Sequence, residues 1–238
     1  MFAMSPFVAE IAGTAVLITL GSGVVANVLL ARTKGNNAGL IVIALAWAVA
    51  VFVGVYISAE DSGAHLNPAV TVGLAVAGKF SWDLVPSYIL AQFLGAFIGS
   101  ILTWFTYRDH FSETTDKEVI LAVFSTGPAI RKPVNNFITE TIATFIFMFA
   151  ILHIQKGEMK MGALDALPVA LLVLGIGLSM GGPTGYSINP ARDLGPRIIH
   201  AILPIRQKGG SDWKYAPIPV VGPLAGAILA AMLYVQLQ

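Results

Sequence analysis

The 238-residue chain contains no cysteine, and only 11% of it is charged. The missing cysteine excludes disulfides, thiolate catalysis and Cys-ligated zinc or iron–sulfur sites. The missing charge excludes more. Soluble domains are about 25% charged, and a soluble monomer could not cover its surface at less than half that density. A soluble enzyme and a disordered chain are therefore both ruled out. Neither sign is in excess: 14 Lys and Arg against 13 Asp and Glu leave a net charge of +1. That is no electrostatic footprint for nucleic acid. What the chain has in abundance is apolar residues, 56% of the total, with a mean hydropathy of +0.77. This is the composition of an integral membrane protein.

A helix that crosses a bilayer needs roughly 20 mostly apolar residues. Long uncharged runs lie between Glu10 and Arg32, Lys34 and Glu60, Asp83 and Arg108, and Asp165 and Arg192, and after Lys214. A further run, from Pro133 to Gln155, is broken only by Glu140. The reading is six spanning helices. The runs are apolar on consecutive positions, so they lack the alternation of a membrane β-barrel. The first run carries Glu10 and lacks a basic leader, so it is expected to be a span and not a signal peptide.

Two further segments, 61–78 and 181–203, are too short or too broken to cross, and each contains Asn-Pro-Ala. Asn is a good N-cap, and Pro is favoured in the first helical turn. Asn67-Pro68 and Asn189-Pro190 therefore predict half-helices, which are tolerated at membrane depth only where they line a cavity. The stretch 181–185 is expected to be the tight turn leading into the second one.

The chain also repeats itself. Ala9-Glu10-Ile11-Ala12-Gly13-Thr14 echoes Thr139-Glu140-Thr141-Ile142-Ala143-Thr144, and Gly63-Ala64-His65-Leu66-Asn67-Pro68-Ala69 echoes Gly185-Tyr186-Ser187-Ile188-Asn189-Pro190-Ala191. Gly95 and Gly99 match Gly222 and Gly226. With Gly13, these glycines predict close helix crossings. One channel domain over 1–238 is expected, with repeats at about 5–107 and 133–238 and a hydrophilic connection at about 108–132. Three spans per repeat invert the second relative to the first. Inverted repeats with broken helices in matching places point to a site near the midplane. The half-helices would meet at their N-termini, where dipoles repel cations. Their asparagine amides would make a passing water accept hydrogen bonds, which breaks a proton wire.

Glu10 and Glu140 lie inside spans, and an intramembrane carboxylate marks a functional site. Each could carry protons or act as a fixed acceptor for loop N–H groups; one per half-helix favours the fixed role. Arg192 could snorkel to the interface or face a pore. His65 reads as a backbone-bonding spacer, His153 and His200 as structural, and His110 as solvated. No catalytic set, metal cluster or cofactor motif is present.

The paired Asn-Pro-Ala boxes (Asn67, Pro68, Ala69; Asn189, Pro190, Ala191), the matched glutamates and the Arg192 that follows the second box resemble the major intrinsic protein family, the aquaporins and glycerol facilitators. The resemblance covers nearly the whole chain. It implies an all-α fold of six spanning helices and two half-helices, usually a homotetramer with one pore per subunit. Asp193 after Arg192, together with Arg197, Pro219, Val220 and Trp104, resembles the glycerol-conducting branch. The family's narrowest ring falls here on Trp47, Gly177, Tyr186 and Arg192. Gly177 stands where a water-selective pore has His, which implies a wider ring. Tyr186 stands where glycerol facilitators often have Phe. The expected function is passive passage of glycerol, other small neutral solutes and water without ions or protons. Strict water selectivity, passage of undissociated lactic acid, and proton-coupled transport are the alternatives.

Orientation is contested. The face shared by the termini carries Lys79, Lys156 and Lys160, whereas the other carries Arg32, Lys34, Arg108, Lys117, Arg131, Lys132, Arg206, Lys208 and Lys214. The positive-inside rule puts the termini outside; the resemblance implies cytoplasmic termini in a multi-pass cell-membrane protein.

Overall fold

The computed structural model describes residues 4–154 and 165–238. Lys156 and Lys160, counted above, lie outside the described residues. Among the described residues, six helices are long and apolar enough to cross a membrane. They are α1 (Pro6–Leu29), α2 (Leu40–Ser62), α4 (Val85–Thr106, entered through a 3-10 turn at Trp82–Leu84), α7 (Pro133–Ile154), α8 (Leu167–Thr184) and α10 (Ile218–Gln236). Two short helices, α3 (Pro68–Val76) and α9 (Pro190–Ile202), follow the Asn-Pro steps. Each is capped as its sequence predicts. The Asn67 side chain accepts from the Ala69 N–H, and the Asn189 side chain accepts from those of Ala191 and Arg192.

The packing repeats. α1 lies on α4 and α2, just as α7 lies on α10 and α8, and α2 meets α8 between the halves. The half-helices cross over: α3 packs against α10, and α9 against α4. Each half-helix is thus held by a span of the opposite repeat, which gives the all-α inverted repeat. Glycine makes the tight crossings possible. A Cβ on Gly95 or Gly99 would fall 2.6 Å from the carbonyl oxygen of Ile11 or Ala15, and one on Gly226 would fall 2.3 Å from that of Thr141. Real atoms do not approach so closely, so a larger residue would force these helices apart.

Three expectations need correction. Residues 108–132 are not simply loop: they hold α5 (Arg108–Glu113) and α6 (Lys117–Phe124). Phe111, Ile120, Val123 and Phe124 bury their side chains there. His110 is only half exposed, and its Nδ1 lies 3.0 Å from the Ala31 carbonyl oxygen. The stretch 181–184 continues α8, with Pro183 inside it. The turn begins only at Gly185, whose φ of +81° suits a residue without a side chain.

Candidate functional site

The two half-helices are joined at their tips. The Asn67 amide donates to the Ile188 carbonyl at 2.9 Å, and the Asn189 amide donates to the Leu66 carbonyl at 2.9 Å. Each asparagine spends its oxygen on its own helix and one N–H on the opposite loop. An amide has two N–H donors, so one remains on each side for a passing molecule.

The loops before the asparagines take an uncommon shape. Ala64 and Leu66 have φ of +50°, and Tyr186 and Ile188 have +39° and +44°. Such conformations cost about 1–3 kcal/mol each and persist only when neighbours impose them. The glutamates impose them here. Glu10 accepts from the N–H groups of His65 and Leu66, both at 2.8 Å, and from Ser62 Oγ at 2.8 Å and Gln92 Nε2 at 2.7 Å. Glu140 accepts from the N–H groups of Ser187 at 3.0 Å and Ile188 at 3.1 Å. Both carboxylates are fully buried. The carbonyl of each bonded peptide points opposite to its N–H. Thus Ala64, His65, Tyr186 and Ser187 turn their oxygens away from the glutamates, and all four residues line one cavity. The His65 side chain departs from the expected backbone-bonding spacer: its Nδ1 lies 3.1 Å from the Thr71 side-chain oxygen Oγ1, and its ring packs against Phe80 and Tyr88.

That cavity runs from Ile154 and Val169, past Asn67 and Asn189, to Trp47, Tyr186 and Arg192. Trp47 lies flat against α1, where a Cβ on Gly21 would fall 2.3 Å from the indole. The Arg192 guanidinium lies over the other face of that indole, 4.3 Å from the ring centre. Tyr186 rests on α8: a Cβ on Gly181 would come within 2.7 Å of its ring, and one on Gly177 within 3.0 Å. Sequence spacing places Gly177 on the wall of the ring. In the structure Gly177 is behind the phenol and does not line the cavity. Its missing side chain leaves room that Tyr186 fills.

Arg192 is buried, and no carboxylate among the described residues pairs with it. Its neighbour Asp193 faces elsewhere. Asp193 accepts from the Thr126 N–H at 2.7 Å and Thr126 Oγ1 at 2.6 Å, and it pairs with Arg197 at 2.8 Å. Arg197, also fully buried, donates to the carbonyls of Thr126, Ser211 and Asp212. This ion pair ties α9 to the segments before α7 and α10. Trp104, Pro219 and Val220 do not reach the cavity; Trp104 lies beneath the Arg108 guanidinium, 5.5 Å away. Among the described residues there is no cluster that could hold a metal ion. Sequence reading does not single out Gly21, Gln92, Ser62 or Thr126, and it takes Gly181 only as part of a turn. Only the i, i+4 spacing of Asp193 and Arg197 hinted at their pairing.

The major intrinsic protein model matches residues 2–234. The chain is 54% identical over 231 residues to a probable glycerol uptake facilitator protein of Thermotoga maritima, covering 97% of this chain and 98% of the relative. It is 52% identical to glycerol uptake facilitator protein 3 of Lactiplantibacillus plantarum, covering 94% and 93%. Among solved structures, the aquaglyceroporin from Plasmodium falciparum superposes with a TM-score of 0.85 at 33% identity, covering 97% of this chain and 94% of that one. With a cavity threaded between two asparagine-capped half-helices in a six-span bundle, the chain belongs to the major intrinsic protein family, a family of membrane channels.

Proposed function

We propose that this chain is a passive channel for glycerol, other small uncharged solutes and water, closed to ions and protons. The observation that carries this reading is the cross-bonded pair Asn67 and Asn189 on a cavity that leads to an unpaired Arg192. Two helix N-termini and one guanidinium concentrate positive potential on the path, which opposes cations. Each asparagine offers a donor, so water at the midplane accepts from both sides and relays no proton. This is the logic already described for aquaporin-type pores. Trp47, Tyr186 and Arg192 form the selective ring, Gly177 supports it from behind, and Glu10, Glu140 and His65 hold the loops. Asp193 and Arg197 set the position of α9. Trp104, Pro219 and Val220 mark the glycerol-conducting branch without touching the solute. The names of the similar proteins favour glycerol over strict water selectivity.

The glutamates are scaffold, not proton carriers. Each accepts at least two backbone N–H groups, and protonation would compete with those bonds. We assign repeats to about 5–107 and 133–238, joined by 108–132, as one channel domain without catalytic activity. A homotetramer in the lipid bilayer, with cytoplasmic termini, completes the reading. The opposing charge count is weakened by cations with local work. Arg32 pairs with Glu113, Arg131 pairs with Asp212, and Lys208 caps three carbonyls at the end of α9.

Purified protein in liposomes tests the function directly. Glycerol should enter faster than into empty liposomes, unaffected by an uncoupler and without ion current. Flux no higher than in empty liposomes removes the proposal. Uptake abolished by an uncoupler favours a transporter instead.

A further inference from the structure

Helices α1 and α4 touch closely at Gly95 and Gly99 and part beyond them. One turn further on, the Thr103 hydroxyl is 3.4 Å from the Thr19 carbonyl. Past that contact lies a second cavity, a cleft of about 310 Å³ separate from the path between the half-helices. Its size falls within the range of small-molecule sites, about 300–1,000 Å³. Leu20, Gly23 and Val24 form its α1 wall. It opens sideways: Leu20 is 43% exposed, and a Cβ on Gly23 would meet nothing within 4 Å. In a membrane-spanning bundle the sideways direction is lipid, and an unfilled cleft there forfeits the contacts of everything that lines it.

The cleft is graded in polarity. It extends from Thr19 to Asn27, eight residues or about 12 Å along α1. Its threonines are spent: Thr19, Thr103 and Thr106 donate to the carbonyls of Ala15, Gly99 and Leu102. Asn27 and Tyr107 line its upper end, where α1 stops at Leu29 and α4 at Thr106. Neither the Asn27 amide nor the Tyr107 hydroxyl bonds to a described residue. Both are donors, so the upper end calls for an acceptor-rich group while the lower end calls for hydrocarbon. Two cations flank the upper end. Gly35 rests on the Asn27 amide, where an added Cβ would fall 2.3 Å from Nδ2, and Lys34 precedes it. Arg108 follows Tyr107, with its guanidinium on the Trp104 ring. Neither cation has an ion-pair partner among the described residues.

We propose that the cleft between α1 and α4 is a binding site for one anionic phospholipid. An acyl chain lies along Leu20, Gly23 and Val24. Its ester and phosphate oxygens accept from Asn27 and Tyr107, and Lys34 and Arg108 select a headgroup of net negative charge. The site needs only the membrane fold, so it stands or falls separately from the solute that the chain conducts.

The test titrates the full chain in detergent with phosphatidylglycerol or phosphatidylcholine and counts bound lipids and subunits by native mass spectrometry. Wild type should bind one phosphatidylglycerol per chain, roughly tenfold more tightly than phosphatidylcholine, the scale of two cations near a headgroup. Gly23→Leu places a better helix former in α1 and fills the cleft. It should raise the phosphatidylglycerol Kd roughly tenfold or more, the scale of excluding two methylene groups. Gly175→Leu is the control: a Cβ there also meets nothing within 4 Å, but on α8, away from the cleft. Its Kd should match wild type. The exposed pair Lys34→Gln with Arg108→Gln should bring phosphatidylglycerol down to the phosphatidylcholine Kd. Equal phosphatidylglycerol binding by wild type, Gly23→Leu and Gly175→Leu overturns the proposal. So does equal wild-type affinity for the two lipids. Loss of subunits in Gly23→Leu with lipid binding unchanged overturns it as well, and gives the cleft to a second copy of the chain.

Discussion

The two Asn-Pro-Ala loops share a backbone and differ in what they show the cavity. Position for position, Ala64 corresponds to Tyr186 and Val70 to Arg192, and all four line the cavity. The first loop therefore leaves its side wide and apolar. The second closes its side with a phenol and a guanidinium. The locks behind them differ as well. Glu10 gathers two backbone and two side-chain donors, whereas Glu140 gathers two backbone donors. Residue 71 is Thr, bonded to His65 and Gln92, whereas its counterpart Asp193 anchors the segments outside α9. In the proposed channel, one inherited shape thus serves as a vestibule in one copy and a filter in the other. The side chains at two positions decide which.

The largest break in this comparison comes from the locks. Glu10→Ala and Glu140→Ala each leave two buried N–H groups unpaired, at about 1–3 kcal/mol apiece. Glu10→Ala also removes two side-chain bonds, so its thermal unfolding midpoint in detergent should fall further than that of Glu140→Ala. Equal midpoints would show that the side-chain donors add nothing. Next, Arg192→Val makes the second box match the first. Removing an unpaired buried charge worth a few kcal/mol should raise cation or proton leak into liposomes roughly tenfold or more. An unchanged leak denies Arg192 its role. Third come the seats of the phenol. Gly181→Ala and Gly177→Ala push Tyr186 towards the path, and overpacking costs about 1–3 kcal/mol. Glycerol flux should drop in both, and more in Gly181→Ala, where the added atom meets the ring at 2.7 Å against 3.0 Å. The reverse order would place the ring differently. The smallest effect belongs to Arg131→Ala. It breaks an ion pair whose arginine is 55% exposed, and such pairs contribute under about 1 kcal/mol. A shift of several degrees in the unfolding midpoint would mark a hidden role.

The spans were legible because lipid tolerates little charge: the gaps between charged residues fall on the six helices. The half-helices were legible because Asn is a good N-cap and Pro suits the first helical turn. Other features resisted. Helix α6 carries Ile120, Val123 and Phe124 inside a stretch whose polar residues mask a buried face only two turns long. Gly181-Gly182-Pro183 reads as a turn, yet α8 runs through it, since packing against Tyr186 outweighs local propensity. Gln92 and Thr126 are far along the chain from the carboxylates that they serve, and no periodicity links them. Gly177 showed where a side chain was missing but not which neighbour would occupy the space. Residue spacing names the members of a ring; only their directions say which of them faces the solute.

The reciprocal amide bonds carry a consequence for biosynthesis. Asn67 donates to Ile188, and Asn189 donates to Leu66, across more than a hundred residues. When the first repeat has left the ribosome and entered the membrane, both of its groups still lack their counterparts. In the proposed channel, a half-inserted chain therefore has no passage lined on both sides until the second half-helix arrives.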